Sequence, residues 1–470
     1  MSEQSVLSPA AEKDAYRSES SNSRKLYERA LKVMPGGNTR HSVALAPRPI
    51  YLSHGQGCMV VDAEGQERID FINNFTSLIH GHAHPAVTEV VQRRIARGTA
   101  FGAPTSGEVE LAELLVKRVP YIDKIRFCNS GTEAVMLTMR AARAFTGRPK
   151  IARFEGAYHG SSDFAHVSDN ITAAHWGDSD APASVIDPDV PPSVADEVVV
   201  MPWNNIEACR KLILQHGSQL AGVLVDPLPA SIGMILPVPG FLEAIREETA
   251  RRGVLLLADE VMSFRLAYDG AMTESGIYPD VVALAKIIGG GFPIGAVGGR
   301  ADIMSAFDHT ANLRVRHGGT FNANPVSMAA GVAAMKLMTR DVYARLNELG
   351  EYLRDRIRRV FRDREIDGEV CGRGSLFTGH LTPGPHLNYR CLVGPSGAKP
   401  VYTELCHQLL GQGILAVPRG IFGCLSTPMT EAEVDAYATA LDRSLAALTQ
   451  VGGTTGACPN ALQASILDSL

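Results

Sequence analysis

From about Ile125 to Gly299, seven short runs rich in β-branched and aliphatic residues (KIRFC, PKIARF, DEVVVMP, AGVLVDP, GVLLLADEV, DVVALAK and GAVGGR) alternate with amphipathic stretches such as AVMLTMRAARAF and GFLEAIREETARR. Runs of strand length separated by stretches of helical period predict a mostly parallel sheet covered by helices. Several of the runs are apolar throughout rather than alternating, as strands buried on both faces are. The expected fold class is therefore α/β. With 470 residues, 45% of them hydrophobic, the chain can bury such a layer and still build a second, smaller domain.

That second unit is expected after His317. The sequence NPVSMAAGVAAMKLMTRDVYARLNELGEYLRDRIRRVFRD reads as long helix interrupted by turns, leading into an α+β region around GRGSLFTGHL and ILAVPRGIFGCLS. The change of domain is placed near residue 330. Residues 1–22 and the run after Val451 are polar or Gly/Thr-rich, as loosely ordered ends are.

Composition removes several classes of function. Lys plus Arg at 45 against Asp plus Glu at 50 leaves a net charge of −5, with no electrostatic footprint for nucleic acid or an anionic membrane. The eight cysteines show no C-x-x-C spacing, so neither a zinc knuckle nor a disulfide framework is expected. No stretch reaches the roughly 18 apolar residues that span a bilayer, and the first residues lack an apolar leader core, which gives the expectation of a cytoplasmic protein.

Three places carry chemistry. Asn129-Ser130-Gly131-Thr132-Glu133 joins an apolar run to a helical pattern, and Ser130 and Glu133 have capping-box spacing. The N–H groups, two hydroxyls and positive dipole end of a helix start there suit a phosphate, although a plain N-cap explains the motif equally well. The run Leu255–Ala258 ends in Asp259 and Glu260, which puts an acid at the carboxyl edge of a buried strand, where open α/β sheets bind ligands. An acid there can cap a helix, or it can hold a pyridine nitrogen protonated and make the ring an electron sink.

Val281–Ala285 is apolar and ends in Lys286, followed by Gly289-Gly290-Gly291. Packing gives little reason for a lysine at that point, whereas partial burial would lower its pKa toward the nucleophilic amine that Schiff-base chemistry uses. A lysine snorkelling from a strand end is the plainer account. The glycine run does not match G-x-G-x-x-G, which argues against a nicotinamide site.

Together with Pro35-Gly36-Gly37, AFGAPT at 100–105, FEGAYHG at 154–160 and GTFNANPVSMAAG at 319–331, these motifs make the chain resemble the class III (subgroup II) pyridoxal-5′-phosphate (PLP) aminotransferases over roughly residues 30–445. Glutamate-1-semialdehyde aminomutase and its transaminase relatives are the members it resembles. The resemblance implies a fold-type I enzyme whose large domain holds a seven-stranded, mostly parallel sheet. The implied division is a flexible segment at 1–22, a small-domain and entrance part at 23–85, a PLP-binding large domain at 86–330, a C-terminal small domain at 331–450 and a tail at 451–470.

The same resemblance implies the site residues. Ser130, Gly131 and Thr132 would hold the cofactor phosphate, with Thr320 reaching in from a neighbouring subunit of a homodimer. Tyr158 would stack on the ring, Asp259 pair with its nitrogen, Val261 pack beneath it, and Lys286 form the Schiff base and carry the proton. Arg40 would grip a substrate carboxylate. Arg419, in Val417-Pro418-Arg419-Gly420, resembles the corresponding segment of β-amino-acid (β-phenylalanine-type) transaminases. Asp226-Pro227-Leu228-Pro229-Ala230-Ser231 departs from the aminomutase pattern, and Met262-Ser263-Phe264-Arg265 is shorter than the usual loop.

The expected activity is thus transfer of an amino group from an amino acid, β-amino acids included, or an amine to a 2-oxo acid in a ping-pong cycle. The aminomutase reaction is the alternative. Phe75, Phe101, Ala230 and Met234 are candidate pocket residues, although such residues are commonly plain core. A remoter alternative rests on His80-Gly81-His82-Ala83-His84, whose H-x-H spacing on a strand would suit zinc in a hydrolase. Pro85 and the lack of a partner motif favour a plain loop there, and no metal is expected.

Overall fold

The computed structural model describes residue 18 and residues 21–311, 314–393 and 400–451. The expected end segments fall outside the described residues except for Ser18, Ser21, Asn22 and Val451. The strands in chain order are β1 (Leu52–Gln56), β2 (Met59–Asp62), β3 (Glu67–Asp70), β4 (Lys124–Cys128), β5 (Lys150–Phe154), β6 (Val198–Met201) and β7 (Leu220–Val225). They continue with β8 (Leu255–Asp259), β9 (Val281–Ala285), β10 (Gly295–Gly299), β11 (Glu369–Cys371), β12 (Leu376–His380), β13 (Ile414–Leu415) and β14 (Ile421–Cys424).

All seven apolar runs become strands of one sheet in the order β4-β10-β9-β8-β7-β5-β6. The sheet is parallel except for β10, which runs antiparallel to both neighbours. The all-apolar character of β8 and β9 is explained by cover on both faces. Leu255 and Leu257 pack with Ala134, Val135 and Leu137 of the helix Gly131–Thr146. Leu256 and Ala258 face the opposite layer, with Phe241 and Ile245 of the helix Phe241–Arg251. Each large side chain so buried contributes roughly 1.5–3 kcal/mol.

Glycine lets β10 return between its neighbours. A Cβ at Gly295 would stand 2.0 Å from the Ser130 carbonyl oxygen, so no larger residue fits there. Gly295 lies level with Cys128 on one side and Ala285 on the other. The end of β4 and the end of β9 are therefore at one height, two strand spacings or about 10 Å apart.

After His317 the expected helix is two: Pro325–Leu337 and Arg340–Asp363. The break falls at Met338, outside helical geometry, and Thr339 caps the second helix by accepting from Val342 N. Both ends of the chain join in the remaining layers. β13 pairs with β3, Ile414 opposite Ile69, in the sheet β1-β2-β3-β13, and β11-β12-β14 form a three-stranded antiparallel sheet. No helix among the described residues is long and apolar enough to cross a membrane.

Candidate active site

Three of the expected residues meet at the carboxyl edge of the seven-stranded sheet because strand register puts them there. Asp259 ends β8 level with Ala283 of β9. Lys286 follows β9 directly, at φ +53°, as the first residue of the short turn Lys286–Gly289. Ser130 caps the helix Gly131–Thr146, its Oγ accepting from Glu133 N at 3.2 Å. The reciprocal arm is shifted by one residue: Glu133 Oε2 accepts from Asn129 N at 2.6 Å. The first-turn N–H groups of that helix have no intrahelical acceptor.

The segment carrying Tyr158 is pinned across this edge. Tyr158 N donates to Ser231 Oγ at 2.8 Å, and Ser161 N donates to Thr132 Oγ1 at 3.2 Å. The Tyr158 ring is 54% exposed, an open aromatic face. His159, next to it and 1% exposed, places Nδ1 2.8 Å from Asp259 Oδ2. Burial lowers the imidazole pKa and Arg153 adds to this, with Asp259 opposing, so a neutral ring donates Nδ1–H to the carboxylate. Sequence reasoning assigned His159 no role; the available signal was its place beside Tyr158 in FEGAYHG.

The acids divide sharply. Asp259 is 4% exposed and its Oδ1 accepts from Val261 N at 3.0 Å. Glu260 points elsewhere, accepting from Tyr121 and from Ala271 N and Met272 N at 2.7 and 3.1 Å. Asp226, also buried, has its pKa raised well above the ordinary range by burial and by Asp259, with Lys286 opposing. The Lys286 amine is lowered by burial, with Asp259 and Asp226 opposing and Arg265 adding to the shift.

These residues fit PLP. A helix start suits the phosphate, and Gly131 is required because a Cβ there would meet Val261 Cγ1 at 2.9 Å. A buried carboxylate steadied by two donors suits a pyridine nitrogen, and a desolvated amine suits the aldehyde. Thr320 is exposed on the turn Gly319–Asn322, and Asn322 Oδ1 accepts from Asn129 Nδ2 at 2.7 Å.

The expected substrate residues lie on a different kind of structure. Asn73, Asn74, Phe75 and Thr76 have φ of 48°, 47°, 52° and 74°, a left-handed turn without glycine. Such geometry costs roughly 1–2 kcal/mol per residue, less for Asn. Asp70 Oδ1 offsets it by accepting from Ile72 N and Asn73 N at 2.7 and 2.8 Å, and Asn73 Nδ2 donates to Cys424 O at 3.1 Å. The half-buried Phe75 ring has both Arg40 and Arg419 against it, each guanidinium 5.9 Å from its centroid. Both arginines are exposed, and Arg40 Nη1 donates to Asn74 Oδ1 at 2.8 Å.

Other candidates fare differently. Met234 is fully buried, packed with Leu228, Met262 and Leu376, and is core rather than pocket lining. Ala230 packs against the same cluster, and exposed Phe101 lies under the Arg94 guanidinium. His80 contacts Ala334 O at 2.9 Å and Thr427 Oγ1 at 3.2 Å, whereas His82 contacts Asp70 Oδ2 at 2.8 Å. The segment is a loop, so the imidazoles turn to separate partners.

A family model for class-III aminotransferases matches residues 42–444. The chain is 37% identical over 428 residues to glutamate-1-semialdehyde 2,1-aminomutase of Methanothermobacter thermautotrophicus, covering 91% of this chain and 99% of that one. An omega-transaminase from Sphaerobacter thermophilus superposes with a TM-score of 0.89 at 47% identity, covering 92% and 99% of the two chains. A β-phenylalanine aminotransferase from Variovorax paradoxus gives 0.83 at 35% identity, covering 93% and 96%. Sheet edge, lysine, acid and matched length agree: the chain belongs to the class-III aminotransferase family and is a PLP-dependent aminotransferase.

Proposed function

We propose that this aminotransferase takes its amino group from a donor bearing a carboxylate, β-amino acids foremost, and passes it to a 2-oxo acid in a ping-pong cycle. The observation that carries this reading is the pair of exposed guanidiniums of Arg40 and Arg419, each 5.9 Å from the centroid of the Phe75 ring. Two cations at one aromatic offer a charge-assisted grip for a carboxylate. The relatives described as omega- and β-phenylalanine transaminases support it.

In this reading Ser130, Gly131 and Thr132 would bind the phosphate, and Tyr158 and Val261 would pack against the ring. Asp259, steadied by His159, holds the proton on the ring nitrogen. PLP, once bound, supplies the electron sink that stabilises negative charge at the substrate carbon. Lys286 Nζ would hold the cofactor aldehyde and, when free, would take the proton from the amine-bearing carbon of the donor. The buried amine's lowered pKa favours the free-base form for that step. Thr320 belongs to the phosphate site of a second subunit in a homodimer, a role supported by the exposure of Thr320 and its neighbour Phe321.

The test is conversion of bound PLP to pyridoxamine phosphate, followed by absorbance, with β-phenylalanine, alanine and carboxylate-free 1-phenylethylamine as donors. The acids are expected to react, and Arg40→Gln or Arg419→Gln to raise their KM about 10- to 100-fold while leaving the amine within about two-fold. Glutamate-1-semialdehyde also carries a carboxylate, and the aminomutase relatives keep that reaction as the second reading. Rapid conversion of that compound with no acceptor present, and no transfer from β-amino acids, would put the aminomutase reaction first.

A further inference from the structure

We infer that Arg265 is a positioning residue for the carboxylate end of the pocket, fastening the turn Asn73–Thr76 to the part of the molecule that carries Asp259. Arg265 is 1% exposed, yet its oxygen acceptors are all neutral. Nε donates to Ser375 Oγ and Nη1 to Thr76 O, both at 2.9 Å, and Nη2 donates to Leu425 O. Burying a cation without a carboxylate partner is unfavourable, and packing alone gives no reason for it. The planar guanidinium fork supplies what lysine or glutamine lacks: donors spread in one plane that reach three separate stretches of chain.

The position of those stretches gives the residue its effect. Arg265 stands in the short turn Ser263–Arg265, just after Asp259, where Phe264 N donates to Glu260 O at 3.2 Å and the Phe264 side chain is fully buried. Its base is therefore fixed to the cofactor side. Thr76 closes the left-handed turn that presents Asn74 to Arg40 and Phe75 to both arginines. Leu425 follows β14, whose Cys424 O accepts from Asn73 at the other end of that turn. Without Arg265, Thr76 O loses the donor that ties this end of the turn to the cofactor side in its left-handed form.

The inference rests on the proposed role of Arg40 and Arg419, and the experiment separates the two. Holoenzyme carrying Arg265→Met is compared with Arg265→Lys. Expected for Arg265→Met are a KM for β-phenylalanine raised about ten-fold, kcat within about three-fold, and unchanged KM for 1-phenylethylamine and unchanged PLP affinity. Amide hydrogen exchange over residues 72–78 should rise while the strand β9 stays protected. Arg265→Lys should show the same split in smaller measure, and it serves if Arg265→Met does not fold. Equal losses for acid and amine, a fall in PLP affinity, or unaltered exchange at 72–78 each overturn the inference. If Arg40→Gln and Arg419→Gln leave acid KM values unchanged while exchange at 72–78 still rises, the carboxylate reading has failed and the fastening by Arg265 stands.

Discussion

The cofactor edge and the substrate rim are built on opposite terms. Lys286, Asp259 and Ser130 stand at or just past the ends of three strands whose register the sheet fixes, with Cys128 and Ala285 level across β10 and Asp259 level with Ala283 of β9. Arg40, Phe75 and Arg419 come from the two ends of the chain and meet at a turn of four residues with positive φ. One region is held by a ladder of backbone bonds, the other by a few side-chain ties. On the proposed reading, the chemistry is thereby insulated from changes at the rim, and the rim is free to set which donor enters.

The sharpest way to break that contrast is Lys286→Ala. If Lys286 carries the proton as proposed, its loss should slow the half-reaction by about 1000-fold or more, and by the same factor for acid and amine donors. A residual rate that depends on the donor carboxylate would show that the two regions are not separable.

The seam between the regions offers a second test. His80 bridges Ala334 of the helix Pro325–Leu337 and Thr427 beyond β14, and burial lowers its pKa from 6.5 to about 4. The native state keeps this imidazole neutral while the unfolded chain takes up a proton below pH 6.5. Stability is therefore full above pH 6.5 and falls as the pH drops toward 4, by about 3 kcal/mol. Urea midpoints measured between pH 7 and 4 should show this slope, flattened in His80→Gln; an equal slope in the variant places the acid lability elsewhere.

The smallest expected effect belongs to Phe75→Leu, which keeps an apolar side chain but removes the ring that both guanidiniums contact. KM for acid donors should rise about two- to five-fold, with the carboxylate-free amine unaffected. A larger change for the amine would recast Phe75 as a wall of the pocket rather than a shared contact of the two cations.

Legibility in the sequence follows the same divide. Each of the seven apolar runs announced its strand, and the residue after the run announced the site, because a strand end is a local feature. The neighbouring Glu260 looks equal to Asp259 in the sequence, yet it turns to Tyr121, Ala271 and Met272, a choice made by the chain beyond β8. Met234 passed for a pocket residue and is core, since an apolar side chain does not state which cluster will enclose it. His159 was silent because its partner, Asp259, is remote in sequence.

By itself, then, the sequence determined the α/β layer, the capped helix at Ser130 and the lysine and acid that follow apolar strands, since hydrophobic period and strand length act over a few residues. Tertiary structure alone decided that Asn73–Thr76 would turn left-handed, that Arg40 and Arg419 would share one ring, and that Arg265 would be buried among neutral acceptors. Positive φ without glycine and a cation in the interior are each unfavourable locally, and they persist only where partners from distant parts of the chain offset the cost.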